Sequence, residues 1–120
     1  MKKLTEREDQ IMQIVWQLQT AFIRDIIAGM PEPKPHYNTT ATLVKILVTK
    51  NFLKSEKIGN THQYSPTVTL EEYREGDLES IKKKYFGDSF QQMFSHFAKK
   101  EEFSEAEIKA MIKIIKSKKQ

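Results

Sequence analysis

If residues 38–49 form a helix, a turn of about 100° per residue gathers Asn38, Ala41, Thr42, Lys45 and Thr49 on one side. Thr39 stands at the start of the same stretch, and Thr40, Leu43, Val44 and Leu47 collect on the opposite side. A solvated helix face ordinarily carries Glu and Lys, which favour helix and solubility; threonine favours helix less. The outward face here has one charge, Lys45, and otherwise short polar side chains. Their chemistry suits the edges of nucleic-acid bases. Threonine bonds a base edge or sets its methyl against that of thymine, and asparagine bonds adenine. Lys45 can reach a guanine or a phosphate. A major groove about 12 Å wide admits a helix only when the side chains nearest the bases are short.

Catalysis has little to work with. His36, His62 and His96 fall in a loop, a predicted strand and a predicted helix, without metal-ligand spacing among them. No Gly-rich phosphate loop or nucleophile motif is present. The acidic pairs Glu71/Glu72 and Glu101/Glu102 belong to predicted helix starts or solvated turns, where the helix dipole favours them. Cysteine is absent, which removes disulfides, thiolate metal sites and a cysteine nucleophile. The expectation is a non-enzyme with no cofactor and no metal.

The elements that must hold the reading face in place are legible on either side of it. "TEREDQIMQIVWQLQ" opens with Thr5 as N-cap and Glu8 three residues on, a capping box. Ile11, Ile14, Val15 and Leu18 then recur at helical spacing as the expected buried stripe. "AFIRDIIAGM" gives a shorter helix with Phe22, Ile23, Ile26 and Ile27 for the core, stopped by Gly29 and Pro31. A proline-spaced connection leads to the reading helix. Beyond it, Gly59-Asn60 is a two-residue hairpin turn flanked by Phe52, Leu53, Ile58, Thr61 and Tyr64, with Pro66 ending the second strand. Three helices followed by a hairpin over some 65 residues is the order of a winged helix-turn-helix. Lys54, Lys57, Asn60 and, on the second strand, His62 then offer backbone contacts to DNA, which position without specifying sequence.

Charge agrees with a nucleic-acid partner. The formal net charge is +4, and residues 1–70 carry nine Lys and Arg against six Asp and Glu. No apolar run approaches the roughly 18 residues needed to cross a bilayer. The N-terminal lysines lead into acidic residues rather than an apolar stretch, unlike a signal peptide. A cytoplasmic protein without membrane contact is expected.

Three more helices are expected after Thr69, starting at Thr69/Glu72, Asp88/Gln91 and Ser104/Glu107. The second carries Phe90, Met93, Phe94 and Phe97 on one stripe, and the third Ile108, Met111, Ile112 and Ile115. Short helices this apolar need a partner surface, either the N-terminal domain or, more simply, a second copy. The expected organisation is a winged-helix domain over 1–67 and a helical dimerisation domain over 68–120. Its interface would use Phe86, Phe90, Met93, Phe94, Phe97, Ile108, Met111, Ile112 and Ile115.

"LTEREDQIMQIVW", "YNTTATLVKILVTKNFL", "HQYSP" and "HFAKKEEFSEAEI" together resemble the BlaI/MecI penicillinase-repressor family, in register over nearly the whole chain. The resemblance implies a bacterial winged-helix repressor. It would dimerise through its C-terminal helices and bind a dyad operator, commonly with TACA…TGTA half-sites. It also implies relief by a membrane sensor with a protease domain that cuts the repressor. The family's usual Asn-Phe bond corresponds here to His96-Phe97. The cysteine-containing metal motif of copper-responsive relatives has no counterpart, and no arginine lies between Asn38 and Thr49. The reading drawn is a homodimeric transcriptional repressor of double-stranded DNA. The rival is a winged helix serving as a protein-interaction adaptor; steep salt dependence with preference for one site would distinguish the repressor.

Overall fold

The computed structural model describes residues 3–118. They form six helices and one antiparallel hairpin, divided into two compact units that meet in sequence between Asp77 and Leu78. Among the described residues, no helix is long and apolar enough to cross a membrane.

Helix α1 (Glu6–Leu18) starts at the expected capping box. The Thr5 N–H donates to Glu8 Oε1 at 2.8 Å, and the Glu8 N–H donates to Thr5 Oγ1 at 3.2 Å. The buried stripe is rotated from the expected one. It comprises Glu8, Ile11, Met12, Val15 and Trp16, while Ile14 is half-buried and Leu18 is 48% exposed. The large side chains Met12 and Trp16 draw the core-facing arc toward themselves and leave Leu18 about a quarter-turn away. The Trp16 indole N–H also donates to the Val68 carbonyl at 2.8 Å, which fixes the rotation.

Helix α2 (Ile23–Gly29) buries Ile23 and Ile26, and Phe22 and Ile27 are half-buried. Asp25 accepts from the Phe22 N–H at 2.8 Å at its start. A Cβ at Gly29 would sit 3.1 Å from the Ile14 side chain, so an added methyl there needs Ile14 to shift by a few tenths of an ångström. Helix α3 (Tyr37–Thr49) begins one residue before Asn38 and buries Thr40, Val44 and Leu47 as expected, with Leu43 half-buried.

Strands β1 (Leu53–Ile58) and β2 (Thr61–Pro66) pair in the register Leu53↔Pro66 to Ile58↔Thr61 around the Gly59-Asn60 turn. Gly59 has φ 63°, the positive value a tight hairpin turn requires and glycine takes without strain. Ala21 adds a short third pairing: its N–H donates to the Tyr64 carbonyl at 2.9 Å and its carbonyl accepts from the Tyr64 N–H at 2.8 Å. Phe52, Leu53 and Tyr64 close the core beneath the hairpin.

Helix α4 (Leu70–Tyr85) starts at Thr69, whose hydroxyl accepts from the Glu72 N–H at 3.0 Å. Tyr73 in its first turn lies 5.6 Å from the Trp16 ring and 5.7 Å from the Phe52 ring. Those contacts carry the first unit through Asp77, ten residues past the boundary expected at 67.

In the second unit, Lys82 holds the corner after α4. Its Nζ lies 2.8 Å from Glu79 Oε1 and 3.5 Å from Asp88 Oδ1, and its carbonyl accepts from the Phe86 and Asp88 N–H groups. Asp88 is therefore part of the corner, at φ 60°, and not the cap of the next helix. Ser89 caps helix α5 (Phe90–Lys100) instead, accepting from the Gln92 N–H at 3.1 Å. Helix α6 (Glu105–Lys118) opens with the expected Ser104/Glu107 box, both bonds at 3.1 Å.

One buried ion pair ties α1 to α3. Glu8 is 2% exposed, and Lys50, just past the end of α3, donates to both its oxygens at 2.8 and 2.9 Å. Burial alone pushes the Glu8 carboxyl up, but the bonds from Lys50 and Thr5 outweigh it and hold the group below its ordinary 4.5. Replacing Lys50 with Met leaves the carboxylate short of a partner, and should cost about 3 kcal/mol in urea unfolding at neutral pH. The native pair contributes fully above the unfolded-state value and loses that contribution as pH falls through the lowered folded one. A stability–pH curve for Glu8→Gln should accordingly show a shallower acid limb. Parent-like stability of Lys50→Met would mean that the pair contributes nothing.

Candidate nucleic-acid interface

Burial of Thr40, Val44 and Leu47 fixes which side of α3 meets solvent. Asn38, Thr39, Thr42, Lys45 and Thr49 are exposed, and Ala41 is half-buried at the margin. Ile46 is exposed among them, an aliphatic residue that sequence reasoning passed over because it fits neither a core stripe nor a polar face. The hydroxyls are already engaged. Thr42 Oγ1 donates to the Asn38 carbonyl at 3.0 Å, and Thr49 Oγ1 to the Lys45 carbonyl at 3.1 Å. Each keeps lone pairs to accept with and a methyl turned to solvent.

Two cations drop out of the set available for phosphate. Lys50 is committed to Glu8, and Lys34 donates to the carbonyls of Ala28 and Met30 at the end of α2. Lys45 is then the exposed cation of α3.

On the hairpin, Lys54, Lys57, Asn60 and His62 are all exposed. Successive strand residues face opposite ways, so Lys54 and Lys57 stand on opposite faces of β1. Lys57 shares its face with its cross-strand partner His62, and Lys54 shares its own with Glu56. Asn60 meets a different neighbourhood. A shallow groove joins the start of α2, the start of α3 and the hairpin turn, and its lining includes Phe22, Arg24, Asp25, Tyr37, Asn60 and Thr61. Arg24 and Tyr37 thus join the candidate surface. Nothing in their local spacing distinguishes them in the sequence; it is the tertiary approach of the turn to α2 that brings them there.

The residues expected at an interface between copies sort by burial within one chain. Met93 is buried, Phe86 and Met111 are half-buried, and Phe90, Phe94, Phe97, Ile108, Ile112 and Ile115 are exposed, Phe90 at 65%. His96 and Phe97 lie inside α5, with the His96 ring 5.5 Å and the Phe97 ring 6.5 Å from Phe86.

Comparison with known proteins agrees with this architecture. A protein of Latilactobacillus sakei, described as an uncharacterized 16.5 kDa protein in the ptsI 3' region, is 37% identical over 81 residues. That match covers 66% of this chain and 55% of the relative, so the chain spans about half the length of the curated protein it matches. Among solved structures, the CopR repressor is similar over 56% of this chain and 99% of its own, at 31% identity and a TM-score of 0.48. The RosR-S4 complex structure is similar over 81% of this chain and 87% of its own, with a TM-score of 0.56 and 16% identity, a likeness of fold. The profile of the penicillinase repressor family matches residues 4–117. The fold is mainly helical, a winged helix-turn-helix followed by further helices, and the chain belongs to the penicillinase repressor family of transcriptional regulators.

Proposed function

We propose that the protein represses transcription as a homodimer on a dyad DNA operator, reading each half-site through α3 and bracing the backbone with the hairpin. The observation that carries this is the outward face of α3, where short polar side chains and a single cation surround Ile46, on a helix joined to α1 by the Lys50–Glu8 pair. Thr42 is central to it. Thr42→Ala should cost about 1–3 kcal/mol of discrimination at one base pair. Fluorescence anisotropy on matched and single-mismatch duplexes measures this, and an equal loss on every sequence would reduce Thr42 to a phosphate contact.

Dimerisation is assigned to the second unit because its Phe and Ile stripes lie open in a single chain. A second copy of the same surface covers them without any further component, under the commonest oligomer symmetry. Joined readers raise each other's effective concentration by orders of magnitude. A chain truncated after Asp77, which retains Tyr73 on Trp16 and Phe52, should be a folded monomer with much weaker operator binding. Sedimentation of a dimeric fragment, or of a monomeric full-length chain, would overturn the assignment.

Relief by cleavage between His96 and Phe97 completes the proposal. That bond lies in the body of α5, where the Phe97 carbonyl accepts from the Glu101 N–H at 3.2 Å, so a protease must first unwind the helix. Scission would free α6 and its Ile108/Ile112/Ile115 stripe from the covalent chain. Each large side chain withdrawn from a buried interface forfeits about 1.5–3 kcal/mol. With a specific protease site placed across residues 95–98 in an intact dimer, complete cutting should abolish operator binding. Undiminished affinity after cutting would remove the switch and leave the repressor.

A further inference from the structure

We propose, building on the repressor function above, that Ile46 is a specificity-determining residue and recognises the C5 methyl of a thymine in each half-site. Ile46 follows Thr42 by four residues and precedes Thr49 by three, so the three share one stripe of α3. A helical side chain leans over the turn before it, which carries Ile46 toward Thr42. Its exposure is 39%, whereas Val44 and Leu47 on the core side have none. The stripe is poor in donors as well. The hydroxyl protons of Thr42 and Thr49 are spent on the carbonyls of Asn38 and Lys45, so both residues present methyl groups and acceptor lone pairs. Three adjacent side chains therefore offer a surface of methyls with acceptors at its edges.

In the major groove, guanine presents only acceptors, which this stripe cannot satisfy. A thymine offers its methyl, and the adenine beside it offers the N6 amino donor that a threonine oxygen accepts. An A·T pair is thus matched twice, by apolar contact at Ile46 and by acceptance at a neighbouring threonine. Off this stripe, Lys45, Asn38 and Thr39 keep donors for guanine or phosphate.

The test uses the full-length chain and a duplex it selects from a random library. Thymines of that duplex are then replaced singly by deoxyuridine, which removes only the C5 methyl. At one thymine per half-site, wild-type affinity should fall about fourfold, the scale of returning one methyl to water. Replacement in both half-sites should give roughly the square of that loss. Ile46→Ala should bind the thymine and deoxyuridine duplexes equally, while Ile46→Val retains the discrimination and guards against a folding artefact. Because the contact is uncharged, Ile46→Ala should leave the salt slope unchanged, where Lys45→Ala lowers it by about one. A selected duplex indifferent to every thymine methyl, an Ile46→Ala protein that still discriminates, or a salt slope altered by Ile46→Ala would overturn the assignment while repression stands. A library yielding no preferred sequence would remove the repressor function and this assignment together.

Discussion

A carboxylate sealed from water is tolerable only where donors meet its oxygens, and Glu8 meets that condition with a lysine from the far end of another helix. The rest of the first unit is arranged around that requirement. Thr5 caps α1 and donates to the same carboxylate, so the start of α1 and the end of α3 share one charged centre. The other end of α3 is set by Thr40, buried and donating to the His36 carbonyl. An ion pair at its end and burial of Thr40, Val44 and Leu47 along its inner side both oppose rotation of this helix. Its outer face is presented in one orientation, which the proposed reading of base edges would use.

The two units differ in how completely they enclose themselves. The first has a closed core running from Leu4 to Tyr64, to which Val68 and Tyr73 add a cover. The second buries only Met93 fully among its described residues and leaves most of its Phe and Ile side chains in water. Apolar area in contact with water is unfavourable at about 25 cal/mol per Å². The imbalance is what supports placing association in the second unit under the proposed function, and DNA reading in the first.

Local signals were the most legible. Capping boxes at Thr5, Thr69 and Ser104, the Gly59-Asn60 turn and the inward face of α3 depend on neighbours within a few residues, and the structure has them where sequence spacing puts them. Errors arose where a distant contact decided the outcome. Leu18 fits a helical stripe as well as Trp16 does, but the Trp16 bond to Val68, 52 residues away, sets the rotation. Asp88 reads as a cap until Lys82 claims it for the corner, passing the role to Ser89. Nothing in the sequence singles out Lys50, and only the fold reveals that it is spent on Glu8. On the candidate face, the exposure of Asn38, Thr42, Lys45 and Thr49 follows from periodicity, and the same count puts Ile46 among them, where its apolar side chain was passed over; Arg24 and Tyr37 required the fold.

The pairing of Ala21 with Tyr64 divides the hairpin into two mechanical regimes. Below it, β2 is bonded on both edges, to β1 and to the α1–α2 connection, and Tyr64 is buried. Beyond it, the backbone of Glu56 to Gln63 pairs only across the hairpin ladder. Amide hydrogens at Ala21 and Tyr64 are thus shielded by the core, while those around Gly59 exchange through local fraying of the ladder. Immobilising the tip against a ligand costs about 1–2 kcal/mol per backbone residue newly fixed. The bridge confines that entropic loss to a few residues, so the hairpin can conform to a curved surface without loosening the core from which it projects.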